Sequence, residues 1–344
     1  MHLEVVAAFV LLLALTVYVL TGGADFGAGF WGLLYRGERH KRESAIISST
    51  LAPIWEANHV WLIVAIVLIS GAFPKALSAL SVAVDVPLVV MLVGVSLRGS
   101  AFAFRRYGPS NERFQSRWSL VFGVSSGLTP IFLGITMGTA VSGSIRVLPD
   151  GSVLPRAESA WLAPFPIMVG IYTFAIVIFL SAVYLAAHSS DAAFQESFRK
   201  LAIGSSITLG CVAWLVLMVS RFDAPLVYER LTAHPWSWPF HLATAAFSIS
   251  ALVLLLRRRL HWARAAAVLQ VLAIMIGLGL AQYPYILAPD LTIFNAAAPA
   301  SSLRVLLLVT AAGLLLVGPA FAYLYWIFQF RSPDATRSGE GNRR

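Results

Sequence analysis

The chain has 344 residues, of which 58% are hydrophobic and only 12% are charged, and its mean hydropathy is +0.79. A soluble fold could not cover so much apolar surface with so few polar side chains, so two soluble domains are excluded and a membrane protein is predicted. The single cysteine, Cys211, excludes a disulfide framework, a cysteine-ligated zinc site and an iron–sulfur cluster. The net charge of +9 would suggest nucleic-acid binding in a soluble protein, but here it has a different cause.

Long apolar segments recur along the chain. A helix that crosses the hydrocarbon core needs about 20 predominantly apolar residues. The segments that meet this requirement predict an all-α polytopic membrane protein with nine transmembrane helices, at roughly 3–35, 45–70, 76–98, 118–142, 161–187, 201–220, 240–256, 265–283 and 303–330. Residues 331–344 are polar and rich in Ser, Gly and Arg, so we expect a disordered tail there.

The cations are distributed unequally between the two sets of loops. One set carries 19 of the 25 Lys and Arg, in the segments 36–44, 98–117, 188–200, 257–264 and the C-terminal tail. The other set carries six, which are Lys75, Arg146, Arg156, Arg221, Arg230 and Arg304. On this count no cation is left for a helix interior. Because cytoplasmic loops are enriched in Lys and Arg, we expect the N-terminus outside and the C-terminus in the cytoplasm.

Three acidic residues, Asp25, Glu56 and Asp85, fall inside the first three predicted helices. A carboxyl group in hydrocarbon costs several kcal/mol, so such residues usually face protein or water and often serve transport or proton relay. Counted from the predicted helix ends, Asp25 and Glu56 lie about 16 Å from the cytoplasmic boundary and Asp85 about 20 Å. The spacing predicts an acidic layer near mid-membrane. The alternative is protonated carboxyl groups that only hydrogen-bond between helices.

Small residues surround the first of these acids. Gly22, Gly23, Gly27 and Gly29 flank Asp25, and the four-residue spacing of Gly23 and Gly27 forms a small-xxx-small face. Such a face allows another helix backbone to approach closely. We therefore predict that helix 1 packs tightly at the level of its acid.

Helix 2 carries a histidine beside its acid. Glu56 and His59 are three residues apart and so share a helix face. A neutral imidazole beside a carboxyl group suits a proton relay, because its unperturbed pKa is near ~6.5. A histidine that is simply hydrogen-bonded to Glu56 is the alternative. Trp55, Asn58 and Trp61 form another stripe at three-residue spacing, which indicates helix packing rather than a binding site.

Signatures of catalysis within the chain are absent. The sequence has no glycine-rich nucleotide loop, no serine elbow and no metal-ligand spacing. A bis-histidine haem needs two axial ligands at membrane depth, and His59 is the one candidate. We therefore predict no catalytic residue and no metal site in this chain, and we expect any redox centre in a partner.

Two segments in the first two predicted helices have a distinctive pattern. They read Gly-Gly-Ala-Asp-Phe-Gly-Ala-Gly at 22–29 and Pro-Ile-Trp-Glu-Ala-Asn-His-Val-Trp-Leu at 53–62. This pair closely resembles subunit II of cytochrome bd-type quinol oxidases. Weaker similarity at 283–289, 295–297 and 319–326 extends the resemblance over nearly the whole chain in order. Some family members have an acid where this chain has Gly22, and Asp-Gly-Asn-Gln in place of residues 56–59.

The resemblance implies a non-haem subunit that forms a heterodimer with subunit I of a terminal oxidase. Such an enzyme serves aerobic respiration in the bacterial plasma membrane, where it oxidises quinol and reduces oxygen to water. Subunit I would hold haem b and haem d, and subunit II would support assembly. The family also uses the acid of the Trp-acid motif in a proton path from the cytoplasm. The resemblance thus implies this role for Glu56, and we extend the hypothesis to Asp25, His59 and Asp85.

The resemblance also implies a fold of two four-helix bundles plus a peripheral helix. On this interpretation the first bundle is 1–143, the second is 161–283 and the ninth helix is 303–330. Outer loops at 144–160 and 284–302 join them, and 331–344 is the cytoplasmic tail. A small accessory subunit would be a further partner, and an apolar groove between helices would accommodate a quinone.

Two alternatives belong to other functional classes. Intramembrane acids beside Gly- and Pro-broken helices also fit an ion-coupled secondary transporter, which should work alone and show solute flux. An oxidase subunit should instead copurify with a haem-containing polypeptide. In a purely structural scaffold, neutral isosteres at all three acids would leave activity intact.

Overall fold

The protein, described by a computed structural model, is almost entirely helical over residues 2–34, 55–189 and 191–330, which are the residues the structure describes. The helices are α1 (Leu3–Leu34), α2 (Trp55–Ala72), α3 (Pro74–Ala83), α4 (Asp85–Tyr107), α5 (Glu112–Ser142), α6 (Pro164–His188), α7 (Ala192–Asp223), α8 (Pro225–Thr232), α9 (Ser237–Leu256), α10 (Leu260–Gln282) and α11 (Ala300–Phe330). A 3-10 helix at Pro155–Leu162 and two short antiparallel strands, β1 (Tyr285–Leu287) and β2 (Leu291–Thr292), lie in the connections.

The predicted class of all-α polytopic membrane protein is confirmed. Within the described residues, eight helices are individually long and apolar enough to cross a membrane, and the bent pair α2–α3 supplies a ninth candidate. Residues 45–54 of the second predicted span, and the predicted tail at 331–344, lie outside the described residues. The division into two four-helix bundles stays a prediction.

The third predicted span, 76–98, is wrong at both ends. Helix α3 leaves α2 at an angle of 113°, and the spanning helix α4 begins only at Asp85 and continues to Tyr107. Pro87 therefore falls in the first turn of α4, where its missing N–H breaks no helical hydrogen bond. The prediction ends this helix at Arg98 as a loop cation, but in the structure Arg98 lies within the helix and is fully buried.

Helix α1 occupies a central position. It packs against α2, α5 and α6, and more lightly against α10 and α11. A hydrophobic cluster that includes Ala7 and Leu11 surrounds its first half, and another that includes Ala28 and Trp31 surrounds its last turns. A smaller cluster built on Tyr18 and other aromatic and aliphatic side chains lies between them. The middle of α1 is thus enclosed by other helices.

Two glycines allow this close packing of α1. A Cβ atom at Gly27 would collide with the carbonyl oxygen of Val177 and the hydroxyl of Ser181, both on α6. A Cβ atom at Gly29 would collide with the Ser126 side chain on α5. Helix backbones approach this closely only where one of them carries no side chain. The small-residue face of α1 is therefore in contact with both α5 and α6.

An ion pair joins the two long connections on the side of the bundle opposite the cation-rich loops. The carboxylate of Asp290 accepts hydrogen bonds from Arg146 Nε (2.9 Å) and Nη2 (3.2 Å) and from the backbone N–H of Val147 (2.9 Å). Burial alone would raise the pKa of Asp290, but these hydrogen bonds and the charge of Arg146 together hold it below its ordinary value. The loop after α5 is thereby held against the strand connection before α11.

Candidate functional site

A buried ion pair joins α1 to α4. Arg98 Nη2 lies 2.7 Å from Asp25 Oδ1, and the two side chains are 1% and 5% exposed. The same Nη2 donates to the backbone oxygen of Asp25 at 3.2 Å. Asp25 is nine residues from the end of α1, and Arg98 is nine residues from the end of α4, so both lie about 14 Å from the cation-rich side. The helices therefore bring opposite charges to the same depth.

The guanidinium of Arg98 is held on its other sides as well. Its Nε donates to Ser126 Oγ at 2.9 Å, and that hydroxyl donates to the Phe122 carbonyl at 2.6 Å. The guanidinium carbon lies 4.5 Å from the centre of the Phe26 ring and 4.8 Å from that of Phe122. Aromatic faces attract a desolvated cation by about 2 kcal/mol or more. Residues from α1, α4 and α5 thus fix a cation in the bundle interior.

An aromatic cluster lies next to the ion pair. Tyr18, two helical turns before Asp25 on α1, is 2% exposed. Its ring centre is 6.4 Å from that of Phe26 and 6.3 Å from that of His59 on α2. The rings of Phe26 and His59 are 6.0 Å apart. Of the predicted relay residues, the structure thus brings Asp25 and His59 into one polar and aromatic cluster.

Three polar atoms in this cluster have no hydrogen-bond partner within the described part of the chain. They are Asp25 Oδ2, Arg98 Nη1 and the Tyr18 hydroxyl, and all three are inaccessible from outside the protein. In native proteins, buried polar atoms left unpaired by the chain are normally hydrogen-bonded to ordered water. The arrangement can therefore hold water molecules beside a charged pair in the middle of the bundle.

The predicted acidic layer of three carboxyl groups is not formed. Asp85 is the first residue of α4, so it lies 13 residues, or about 20 Å, from Arg98 along the helix. It is exposed, and its Oδ1 accepts the Val86 N–H at 2.7 Å. A carboxylate in the first turn satisfies a free N–H and interacts favourably with the helix dipole. Asp85 is therefore a helix-terminal residue at the opposite end of α4.

Glu56 belongs to helix α2, but its side chain and that of Trp55 lie outside the described part of the structure. The other two residues of the predicted stripe, Asn58 and Trp61, are described. Asn58 is 1% exposed and its Nδ2 donates to the Thr21 carbonyl of α1 at 3.3 Å. Trp61 packs against the hydrophobic clusters around α1. These contacts place the stripe of α2 against α1.

The predicted glycine motif has two kinds of contact. Gly27 and Gly29 are the positions of close helix approach described above. A Cβ at Gly23 would meet Leu180 at an ordinary distance of 3.4 Å, and one at Gly22 would meet the Tyr18 ring of its own helix at 3.2 Å. The acid motif of α1 thus combines close helix packing with the ion pair.

Sequence reasoning missed Arg98, the partner of Asp25. The count of cations assigned it to a loop, and the expectation that no cation lies in a helix interior is wrong. One signal was available in the sequence: uncharged residues continue from Arg98 to Phe104, and the pair Arg105–Arg106 marks a more natural helix end. An unmatched acid at similar depth on α1 was the second signal.

The other chemistry-bearing groups are dispersed. Within the described ranges, no group of three or more His, Cys, Asp or Glu residues could hold a metal ion. The fold and the buried pair therefore define a multi-pass helical membrane protein with an ion pair in its interior.

Comparison with known proteins specifies the family. The family model of cytochrome bd terminal oxidase subunit II matches residues 3–328, so the chain belongs to this family. The putative cytochrome bd menaquinol oxidase subunit II of Bacillus subtilis (strain 168) is 23% identical over 324 residues, which are 91% of each chain. Cytochrome bd-I ubiquinol oxidase subunit 2 of Escherichia coli (strain K12) is 22% identical over 347 residues, covering 90% of this chain and 89% of the relative.

A solved structure agrees with this membership. The bd oxidase from Geobacillus thermodenitrificans contains a chain that matches with a TM-score of 0.82 at 28% identity, covering 96% of this chain and 100% of that chain. The resemblance noted from the sequence is confirmed, and the chain is a subunit of a quinol:oxygen oxidoreductase of electron transport. Membership implies a subunit I partner that carries haem, and the transporter alternative is not favoured.

Proposed function

We propose that this chain is the non-haem subunit of a quinol oxidase in the bacterial plasma membrane and contributes part of a proton path to its partner. Subunit I would hold haem b and haem d, oxidise quinol and reduce oxygen to water. A small accessory subunit would be a further partner. Family membership supports the oxidase assignment.

The proposed orientation has the N-terminus outside and the C-terminus in the cytoplasm. Without Arg98, the loops assigned to the cytoplasm still carry 18 of the 25 cations. Arg105, Arg106 and the run Arg257–Arg258–Arg259 all lie at helix ends on that side. Because Lys and Arg are enriched in cytoplasmic loops, the corrected count supports the same orientation.

The buried pair of Asp25 and Arg98 carries the proposal of a proton path. Arg98 alone would repel protons from the bundle interior, and the carboxylate of Asp25 offsets that charge at a distance of 2.7 Å. The second oxygen of Asp25 is then available to accept a hydrogen bond from water. An electrically compensated position with polar atoms left for water, about 14 Å from the cytoplasmic helix ends, is suited to conducting protons.

We assign the titrating steps of the path to Glu56 and His59. Asp25 is engaged in an ion pair, so its exchange of protons would leave Arg98 without a counter-charge. His59 lies against Tyr18 and Phe26 beside that pair, and Glu56 is one helical turn before it on α2. Asp85 is not part of this proposal, because it lies at the other end of α4.

The test is the substitution Glu56→Gln in the purified oxidase, compared with Asp85→Asn as the matched carboxyl-to-amide control. Gln cannot carry a proton, so we expect oxygen consumption to fall about tenfold or more, the lower range for a lost proton-transfer group. Haem content and copurification of subunit I should be unchanged in both variants. Unchanged oxygen consumption and proton uptake in Glu56→Gln would refute the proton path but not the family assignment.

A further inference from the structure

A groove of about 410 Å³ lies between α1, α6 and α7 on the outside of the bundle. Its walls are mainly apolar, with Trp31, Phe174, Ile178, Leu201 and Val212 among the lining residues. The volume falls within the range of ~300–1,000 Å³ that is typical of small-molecule sites. The groove is therefore large enough for part of a ligand that is itself mostly apolar.

One cation lies at the end of this groove nearest the cytoplasmic side. Lys200 lines the groove, is exposed, and directly precedes the apolar stretch of α7 that begins at Leu201. From Lys200 to Val212 the groove follows α7 for 12 residues, or about 18 Å. Lys side chains at such positions extend their ammonium group towards the lipid headgroups. The groove thus runs from headgroup level into the hydrocarbon region.

The neighbouring acid, Glu196, interacts with the charge of Lys200 only at a distance and forms no ion pair with it. Glu196, one turn earlier on α7, is already paired with Arg199 at 2.7 Å and with Arg258 at 3.5 Å. Lys200 makes no ion pair with any residue that the structure describes. An anion at the mouth of the groove would therefore meet an available positive charge.

The hydrogen-bond donors along the groove are already used by the chain. Ser205 and Thr208 donate to the carbonyls of Ala202 and Gly204 on their own helix, both at 3.1 Å. Trp31 Nε1 donates to Ser181 Oγ at 3.0 Å. A quinone ring buried in the groove would need donors for its two oxygens, whereas an acyl chain needs none. Only Lys200, at the mouth, offers a free donor to a ligand.

We propose that this groove binds one anionic phospholipid, with an acyl chain along α7 and the phosphate on Lys200. The apolar walls and their length suit the acyl chain, and the ammonium group of Lys200, which forms no ion pair with a described residue, suits the anionic head. Basic positions between transmembrane helices on the cytoplasmic side are known to attract anionic lipid headgroups. This binding site is separate from the ion pair of Asp25 and Arg98, so it does not depend on the proposed proton path.

Glycines on α7 provide a matched pair of test variants. A Cβ at Gly204 or at Gly210 would meet no atom within 4 Å, so either position accepts a side chain without strain. Gly204 lines the groove, whereas Gly210 does not. Leucine at either position raises helix propensity equally. Gly204→Leu should therefore fill the groove, and Gly210→Leu should leave it open.

The experiment is native mass spectrometry of the purified oxidase complex titrated with phosphatidylglycerol, and separately with zwitterionic phosphatidylcholine. We expect one phosphatidylglycerol to bind in preference to phosphatidylcholine. Lys200→Gln should weaken that binding about fivefold, which corresponds to ~1 kcal/mol for one cation at the membrane surface. Lys75→Gln, a cation on α3 outside the groove, is the charge control and should have no effect.

Gly204→Leu should abolish this bound lipid and Gly210→Leu should retain it. Three results would overturn the proposal. The two lipids could bind equally, or the two glycine variants could bind lipid equally. The third is that the wild-type complex copurifies with a quinone and the Gly204→Leu complex does not. Because the readout is a bound mass rather than oxygen consumption, a variant that fails to assemble is recognised directly by loss of the complex. In that case Lys200→Gln, a surface change, decides the outcome.

Discussion

The buried ion pair predicts a large thermodynamic coupling between α1 and α4. In Arg98→Met, the carboxylate of Asp25 would remain in the bundle interior without the partner now 2.7 Å away. Loss of one member of a buried pair costs about 3–5 kcal/mol, mainly because the remaining charge is uncompensated. Asp25→Asn should have a similar cost, since Arg98 would then be unpaired. In the double variant neither charge remains, so we expect its cost to be smaller than the sum of the two by about 2–4 kcal/mol.

The measurement is a double-mutant cycle on the apparent free energy of unfolding, from titration of the purified complex with SDS in mixed micelles. Arg304→Met provides a control, because Arg304 is exposed and surface changes of this kind stay within about 0.5 kcal/mol. A coupling energy below ~0.5 kcal/mol would refute the reasoning, because independent sites add within that error. It would mean that the pair does not stabilise the assembled bundle.

Two further predictions concern packing and pH. Gly27→Ala should lower the free energy of unfolding by about 1–3 kcal/mol, because its Cβ would collide with the Val177 carbonyl. The control Gly32→Ala has open space around its Cβ and should be neutral or slightly stabilising. Thermal unfolding compares the two variant complexes, and equal melting temperatures would contradict the close approach of α1 and α6. The lowered pKa of Asp290 means that its pairing with Arg146 stabilises the fold above the ordinary value of 3.8, and that this contribution is lost as pH falls through the lower, folded-state value. The Tm difference between wild type and Asp290→Asn should therefore shrink as the solution is acidified below 3.8, and a difference that grows would show the opposite sign of linkage.

Hydropathy predicted most of the membrane architecture. The predicted spans 118–142 and 161–187 agree well with α5 (Glu112–Ser142) and α6 (Pro164–His188). Helix α7 is longer than the predicted span 201–220, because its first turns are polar and extend beyond the apolar stretch. Hydropathy identifies the part of a helix that lies in the hydrocarbon core, but it does not show how many polar turns extend the helix into water.

The errors cluster where local sequence carries little information about tertiary contacts. An apolar window cannot show where one helix ends and the next begins, so the predicted span 76–98 runs across the end of α3 at Ala83 and the start of α4 at Asp85. The cost assigned to a lone cation in a membrane excluded Arg98 from the interior, although Asp25 removes much of that cost. Tyr18 carried no signal, because an aromatic residue in an apolar helix is unremarkable until its neighbours are known. The acid motif on α1 was evident from the sequence, but its partner Arg98 could be recognised only in the folded structure.

The separation of Asp25 and Arg98 in the chain has a consequence for biogenesis. The two residues are 73 positions apart, and ribosomes add about 5–20 residues per second, so Asp25 is synthesised roughly 4–15 s before Arg98. During that interval α1 must reach the translocon with an acid that has no counter-charge. The synthesis of Arg98 then supplies the counter-charge that lies 2.7 Å from Asp25 in the folded chain. Insertion of α4 is then the step that fixes α1 in the bundle through the ion pair.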